Sequence, residues 1–211
     1  MNISVLGAGS WGTTLALLLA KKGFPITLWA YGASFAERLQ RERENTVYLK
    51  GFPFPENIQI TNIEAEAAEN ADMLVVATPA QAVRETLARI DNTALTGKTL
   101  VNLSKGIEVK TGLRISEVIR EVRPEVGDEQ IAVLYGPSHA EEVCTAHPTT
   151  VVAASTSLET AKLVQETFIK VWKNAAAYDT KKGTLFTWLL NITRNGAIDK
   201  TRSAAFRRRR Q

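Results

Sequence analysis

A doubly wound α/β fold, a parallel sheet covered by helices on both faces and followed by a basic helix-loop-helix tail, is what this sequence predicts. Three observations carry that expectation. Residues 3–6 form a short apolar run that opens straight into Gly7-Ala8-Gly9-Ser10-Trp11-Gly12 and an alanine- and leucine-rich helical stretch. Apolar runs and helical patterns then alternate as far as residue 168. Beyond that point the composition changes: residues 169–211 carry eleven basic side chains against Asp179 and Asp199, a net +9, which leaves −5 for residues 1–168. The overall charge of +4 therefore describes neither part, and the asymmetry predicts two modules, 1–168 and 169–211, with different partners.

Each element has its own signal. Strands are expected at 3–6, 26–29, 58–61, 73–77, 99–102, 131–135 and 150–154, all short and rich in Val, Ile, Leu and Thr. Helices are expected at 12–22, 34–43, 80–90, 113–121 and 158–168, with Gly or Pro at most joints. Strands apolar on both faces belong in a sheet buried on both sides, and ligands in such a sheet sit beyond the carboxyl ends of the strands. The residues expected there are the 7–12 turn, Tyr31, Thr78-Pro79, Ser104-Lys105-Gly106 and Gly136-Pro137-Ser138.

The strand, G-x-G-x-x-G turn and helix together form a dinucleotide fingerprint of Rossmann type. Gly7 permits the tight turn, Gly9 lets the backbone approach a pyrophosphate, Gly12 allows close helix–strand packing, and the helix offers free N–H groups to the phosphates. Lys105, in a turn just after a buried strand, places a cation where a phosphate or a developing oxyanion could use it. No acid stands near the end of the second strand, where Tyr31 is found. Arg38, Arg41 and Arg43 read as a solvated helix face. NAD and NADP both remain open as cofactor, with NAD favoured.

Composition excludes other classes. No 18-residue apolar run marks a membrane span, no signal peptide precedes the first strand, and a cytoplasmic protein is expected. A single cysteine, Cys144, excludes an internal disulfide and reads as a small packed residue. With His139 and His147 as the only histidines, no metal set is expected.

Four motifs in order, Gly7 to Thr13, Tyr48-Leu49, Asn102-Leu-Ser-Lys-Gly-Ile-Glu108 and Gly136-Pro-Ser-His-Ala-Glu-Glu-Val143, resemble the amino-terminal domain of bacterial NAD(P)-dependent glycerol-3-phosphate dehydrogenase. The resemblance covers about residues 1–168. It implies hydride transfer between a nicotinamide cofactor and the glycerol 3-phosphate/dihydroxyacetone phosphate pair, in glycerophospholipid metabolism. By the same resemblance Ser10, Trp11, Tyr48 and Ala140 touch the cofactor, Lys105 faces cofactor and substrate, and Gly136 and Ser138 line the substrate site. That family's helical carboxyl-terminal domain, with its catalytic lysine, has no counterpart here, so the chain supplies half a site.

Residues from about 165 to 205, through Phe168-Ile-Lys-Val-Trp-Lys-Asn174, Tyr178-Asp179, Gly183 to Asn195 and Ala197 to Arg202, resemble part of region 2 of extracytoplasmic-function sigma factors. Two amphipathic helices joined by a 179–183 loop would bury Leu185, Trp188, Leu189 and Ile192 and leave Arg194, Lys200 and Arg202 outside. Basic groups beside Trp188 suit phosphates and unstacked bases, so DNA or RNA polymerase is the expected partner of the tail. A packed apolar stripe with a solvated basic face explains the same pattern. The stretch Gln165-Glu-Thr-Phe-Ile169 reads naturally in both parents, as a seam between joined genes or joined sequence reads would, and a truncated chimera is expected.

Overall fold

The computed structural model describes residues 1–136, 139–145 and 151–173. Seven strands form one sheet: β1 (Ile3–Leu6), β2 (Ile26–Trp29), β3 (Ile58–Thr61), β4 (Met73–Val76), β5 (Thr99–Asn102), β6 (Ile131–Tyr135) and β7 (Val152–Ser155). Their spatial order is β3-β2-β1-β4-β5-β6-β7. The first six run parallel, and β7 pairs antiparallel with β6, Tyr135 opposite Val152. The expected doubly wound parallel sheet is thus present, with one antiparallel strand added at its edge.

Strand side chains alternate between two cores. Ile3, Val5, Met73 and Val75 face one side; Leu6, Leu74 and Val76 face the other, all buried. The first side is covered by α1 (Ser10–Lys21), α2 (Ala33–Glu42), α6 (Ala140–Cys144) and α7 (Leu158–Lys173). On the second lie α3 (Glu64–Glu69), α4 (Val83–Ala88) and α5 (Ile115–Val122). Eight α1 residues are buried, including Leu15, Leu17 and Leu19, because the helix is apolar on nearly every face and is enclosed by α6 and α7 as well as the sheet.

Strand positions match the expectation within two residues, and the helices depart from it in four places. The expected 80–90 helix is a 3₁₀ turn, Ala80–Ala82, before α4. α3 and α6 were not expected, being only 6 and 5 residues long, too short for a periodic signal. α7 runs unbroken across residue 168 to Lys173. Arg43 does not belong to a solvated helix face: at φ 49° it terminates α2, and its guanidinium donates to the carbonyls of Ile58 (3.0 Å) and Pro55 (2.7 Å), fixing the entry to β3. Arg38, by contrast, lies at the surface as expected, paired with Glu42.

Candidate functional site

The strand order reverses between β1 and β4, and at such a switch point the two flanking crossovers leave the sheet on opposite faces and open a crevice. A cleft of about 980 Å³ lies there, walled by the segments that follow β1, β2, β4, β5 and β6. Its floor is the glycine turn. Gly7 has φ 121°, and a Cβ on it would lie 2.8 Å from the carbonyl carbon and oxygen of Ala77, so only glycine fits between the adjoining strand ends. A Cβ on Gly12 would come within 1.9 Å of the Gly7 carbonyl oxygen. Gly12 is buried and does not line the cleft; it lets α1 dock against the turn, a packing role rather than cofactor contact.

Gly9 differs. Its φ is −76°, open to any residue, and nothing lies within 4 Å of the position its Cβ would take. The protein itself gives no reason for glycine there; a closely approaching ligand does. α1 starts at the next residue with no side-chain cap and no acid in its first turn, so its free N–H groups and positive dipole end face the cleft. A pyrophosphate fits this arrangement. Two polar side chains lining the cleft are buried without a hydrogen-bond partner among the described residues, Thr78 at its Oγ1 and Trp29 at its Nε1.

Asn45, missed by sequence reasoning, holds the turn in place. It is fully buried; its Nδ2 donates to the Ala8 carbonyl (2.9 Å) and to Thr13 Oγ1 (2.8 Å), and its Oδ1 accepts from the Tyr48 amide (3.1 Å). A lone asparagine in a charged loop carries no pattern, and only the fold brings it beneath residues 37 and 32 positions away. Tyr48, half exposed, lines the cleft with its ring edge against Phe35, centroids 5.8 Å apart.

The segment after β5 is built equally tightly. Asn102, buried at the strand end, accepts from the Ser104 amide (2.9 Å) and donates to the Tyr135 hydroxyl (2.6 Å), which donates in turn to the Ser104 carbonyl (2.9 Å). Ser104 Oγ donates to the Thr78 carbonyl (2.6 Å), tying this loop to the one after β4. Burial pushes the Tyr135 hydroxyl pKa up, against the opposing effect of the Asn102 bond. Further along, Glu108 is buried against Arg84, which donates to both its oxygens (2.8 and 2.9 Å). That guanidinium and the Thr111 hydroxyl bring the Glu108 pKa down to about 2. Between these anchors Lys105 is exposed in the cleft, its Nζ donating to the Gly136 carbonyl at 2.8 Å.

Ser10, Trp11, Tyr31, Tyr48, Lys105 and Ala140 accordingly all line one cleft with Gly7 and Gly9, and Gly136 meets it through Lys105. Ser138, Trp188, Arg194, Lys200 and Arg202, and with them the expected helix-loop-helix, lie outside the described residues. Cys144 is half buried against α1, its Sγ 3.4 Å from Thr14 Oγ1, and burial raises its thiol pKa, as suits a packed residue. Sequence reading also missed Glu85 and Arg89, on and just after α4, which face Tyr31.

Comparison with known proteins agrees with this geometry. The family model described as NAD-dependent glycerol-3-phosphate dehydrogenase N-terminus matches residues 2–161. The chain belongs to that family. Glycerol-3-phosphate dehydrogenase [NAD(P)+] of Pelodictyon phaeoclathratiforme is 57% identical over 168 residues, covering 80% of this chain and 50% of that protein. The same enzyme of Geobacter metallireducens is 45% identical over 167 residues, with 79% and 50% covered. A crystal structure of glycerol-3-phosphate dehydrogenase from Coxiella burnetii superposes with a TM-score of 0.71 at 31% identity, covering 79% of this chain and 50% of that one. The chain spans about half the length of the curated relatives it matches. This half is the family's nucleotide-binding domain, with a Rossmann-like sheet. A model of sigma-70 region 2 matches residues 155–208. Among the described residues no helix is long and apolar enough to cross a membrane.

Proposed function

We propose that this chain binds NAD(H) across the switch-point cleft and supplies the nucleotide-binding half of a site for hydride transfer between the nicotinamide and the dihydroxyacetone phosphate/glycerol 3-phosphate pair. The observation that carries the reading is Gly9: a glycine the fold does not need, at the mouth of an uncapped helix, in a cleft whose buried Thr78 and Trp29 polar atoms have no partner among the described residues. A bound nicotinamide supplies the hydride. The α1 amides and Gly9 hold the pyrophosphate, Tyr31 and Tyr48 flank the dinucleotide, and Ser10, Trp11 and Ala140 complete the walls. Lys105 presents its ammonium to the substrate phosphate or carbonyl oxygen, held at the cleft by the Gly136 carbonyl, and Ser138 follows Gly136 by two positions in the sequence. Matches to proteins named for NAD(P)-dependent glycerol-3-phosphate dehydrogenase support both cofactor and substrate class.

Calorimetric titration with NADH and NADPH tests the reading, and absence of heat with both overturns it. Acid catalysis of about 10²–10⁴-fold and substrate positioning worth about 7–11 kcal/mol depend on groups that sit in the other half of the relatives. Purified chain should therefore reduce dihydroxyacetone phosphate at least about a thousandfold more slowly than an intact relative. A second reading, DNA or polymerase binding through residues 169–211, rests on the sigma-70 region 2 match and the +9 charge. It requires DNA affinity that falls steeply with salt and disappears when residues 169–211 are removed.

A further inference from the structure

We propose that the Glu64–Arg89–Glu85 cluster, standing opposite Tyr31 on the β2 side of the cleft, makes this domain select NADH over NADPH. The inference rests on the dinucleotide reading and adds to it the group that discriminates. With the pyrophosphate on the glycine turn, one end of a dinucleotide points toward Lys105, beyond β5, and the other toward the end of β2, where the adenosine ribose lies in this architecture. Position 31 carries no charge: Tyr31 is 71% exposed and rests edge-on against Trp29. Charge comes instead from the opposite wall. The Arg89 guanidinium sits 6.0 Å from the Tyr31 ring centroid, the reach of a cation–π contact.

Read alone, such an arginine would suit the 2′-phosphate of NADPH. Its partners reverse that reading. Arg89 Nη1 donates to Glu64 at 3.3 Å and Nη2 donates to Glu85, so one guanidinium serves two carboxylates and the cluster is net negative. Glu85 and Arg89 are the charged side chains lining this side of the cleft among the described residues. Arg38, a basic group of α2, is engaged by Glu42 and Thr46 and does not line it. A 2′-phosphate, carrying close to two negative charges, would meet the Glu85 carboxylate, with Glu64 behind it holding Arg89, and among the described residues no uncommitted cation on this side. A free 2′-hydroxyl instead finds an acceptor in the exposed carboxylate of Glu85.

The test is a fluorescence titration of the full chain with NADH and with NADPH. NADH should bind at least about tenfold more tightly at low salt, and the ratio should shrink as salt screens the cluster. Glu64→Gln/Glu85→Gln, which leaves Arg89 uncommitted and removes the charged acceptor for the 2′-hydroxyl, should tighten NADPH by about tenfold and weaken NADH by about threefold, so that the preference reverses. Thermal melts of each variant show that the fold is kept. Equal affinities for both cofactors, or an NADPH preference that Arg89→Ala abolishes, would overturn the discrimination while leaving dinucleotide binding intact. No binding of either cofactor would instead remove the reading beneath it.

Discussion

Asn45→Ala removes one buried amide and strands three polar groups at once. The Ala8 carbonyl, the Thr13 hydroxyl and the Tyr48 amide each lose their bond to it, and Ala8 and Thr13 are almost completely buried. A net hydrogen bond contributes about 1 kcal/mol, and a buried group left unpaired costs about 1–3 kcal/mol. Water entering the space vacated by the amide can recover the bond to Tyr48, which is half exposed, but not both inner ones. The expected loss is about 3 kcal/mol, or roughly 6–12 °C in Tm for a chain of this size. Because the stranded groups lie in the glycine turn, on α1 and beside the cleft, NADH affinity should fall in the same variant. Urea denaturation followed by circular dichroism gives the first quantity and a fluorescence titration the second. A stability loss under about 1 kcal/mol would show that the turn keeps its shape without Asn45 and would refute the reasoning.

The second and third glycines of the turn separate folding from binding. Gly9→Ala should leave the melting temperature unchanged yet weaken NADH at least about tenfold, since its Cβ meets no protein atom. Gly12→Ala, whose Cβ would sit 1.9 Å from the Gly7 carbonyl oxygen, should destabilise by about 3 kcal/mol or more, seen as a lower urea midpoint. Glu108 has a folded pKa of about 2, below its ordinary value of 4.5, so its pairing with Arg84 stabilises the fold above that ordinary value and is lost as pH falls from about 5 toward 2. Glu108→Gln should flatten the acid limb of a stability-versus-pH profile, and an unchanged limb would remove Glu108 from the account. Lys105→Ala should shift stability by less than about 0.5 kcal/mol, because the side chain is exposed, while lowering whatever turnover with dihydroxyacetone phosphate the wild type shows.

The sequence alone determined the strands, the glycine turn and the polar loops at the strand ends, because each depends on neighbours in the chain. Four-residue apolar runs between Gly and Pro joints can only be buried strands, and Gly7, Gly9 and Gly12 carry their roles in their spacing. Lys105 was legible for the same reason, since a turn after a buried strand opens at the carboxyl edge of the sheet. Short helices such as Glu64–Glu69 were not legible, because six residues make too little of a period to read. The antiparallel β7 was invisible too, since strand direction is set by how the chain returns and not by composition. Tertiary structure decided what long-range pairing decides. Asn45 beneath the glycine turn, Arg43 on the β3 entry and Arg89 between Glu64 and Glu85 are ordinary loop and helix residues in the sequence. Their importance comes from partners up to 37 positions away, whose positions are fixed only once the sheet assembles and a buried polar group has to find a bond.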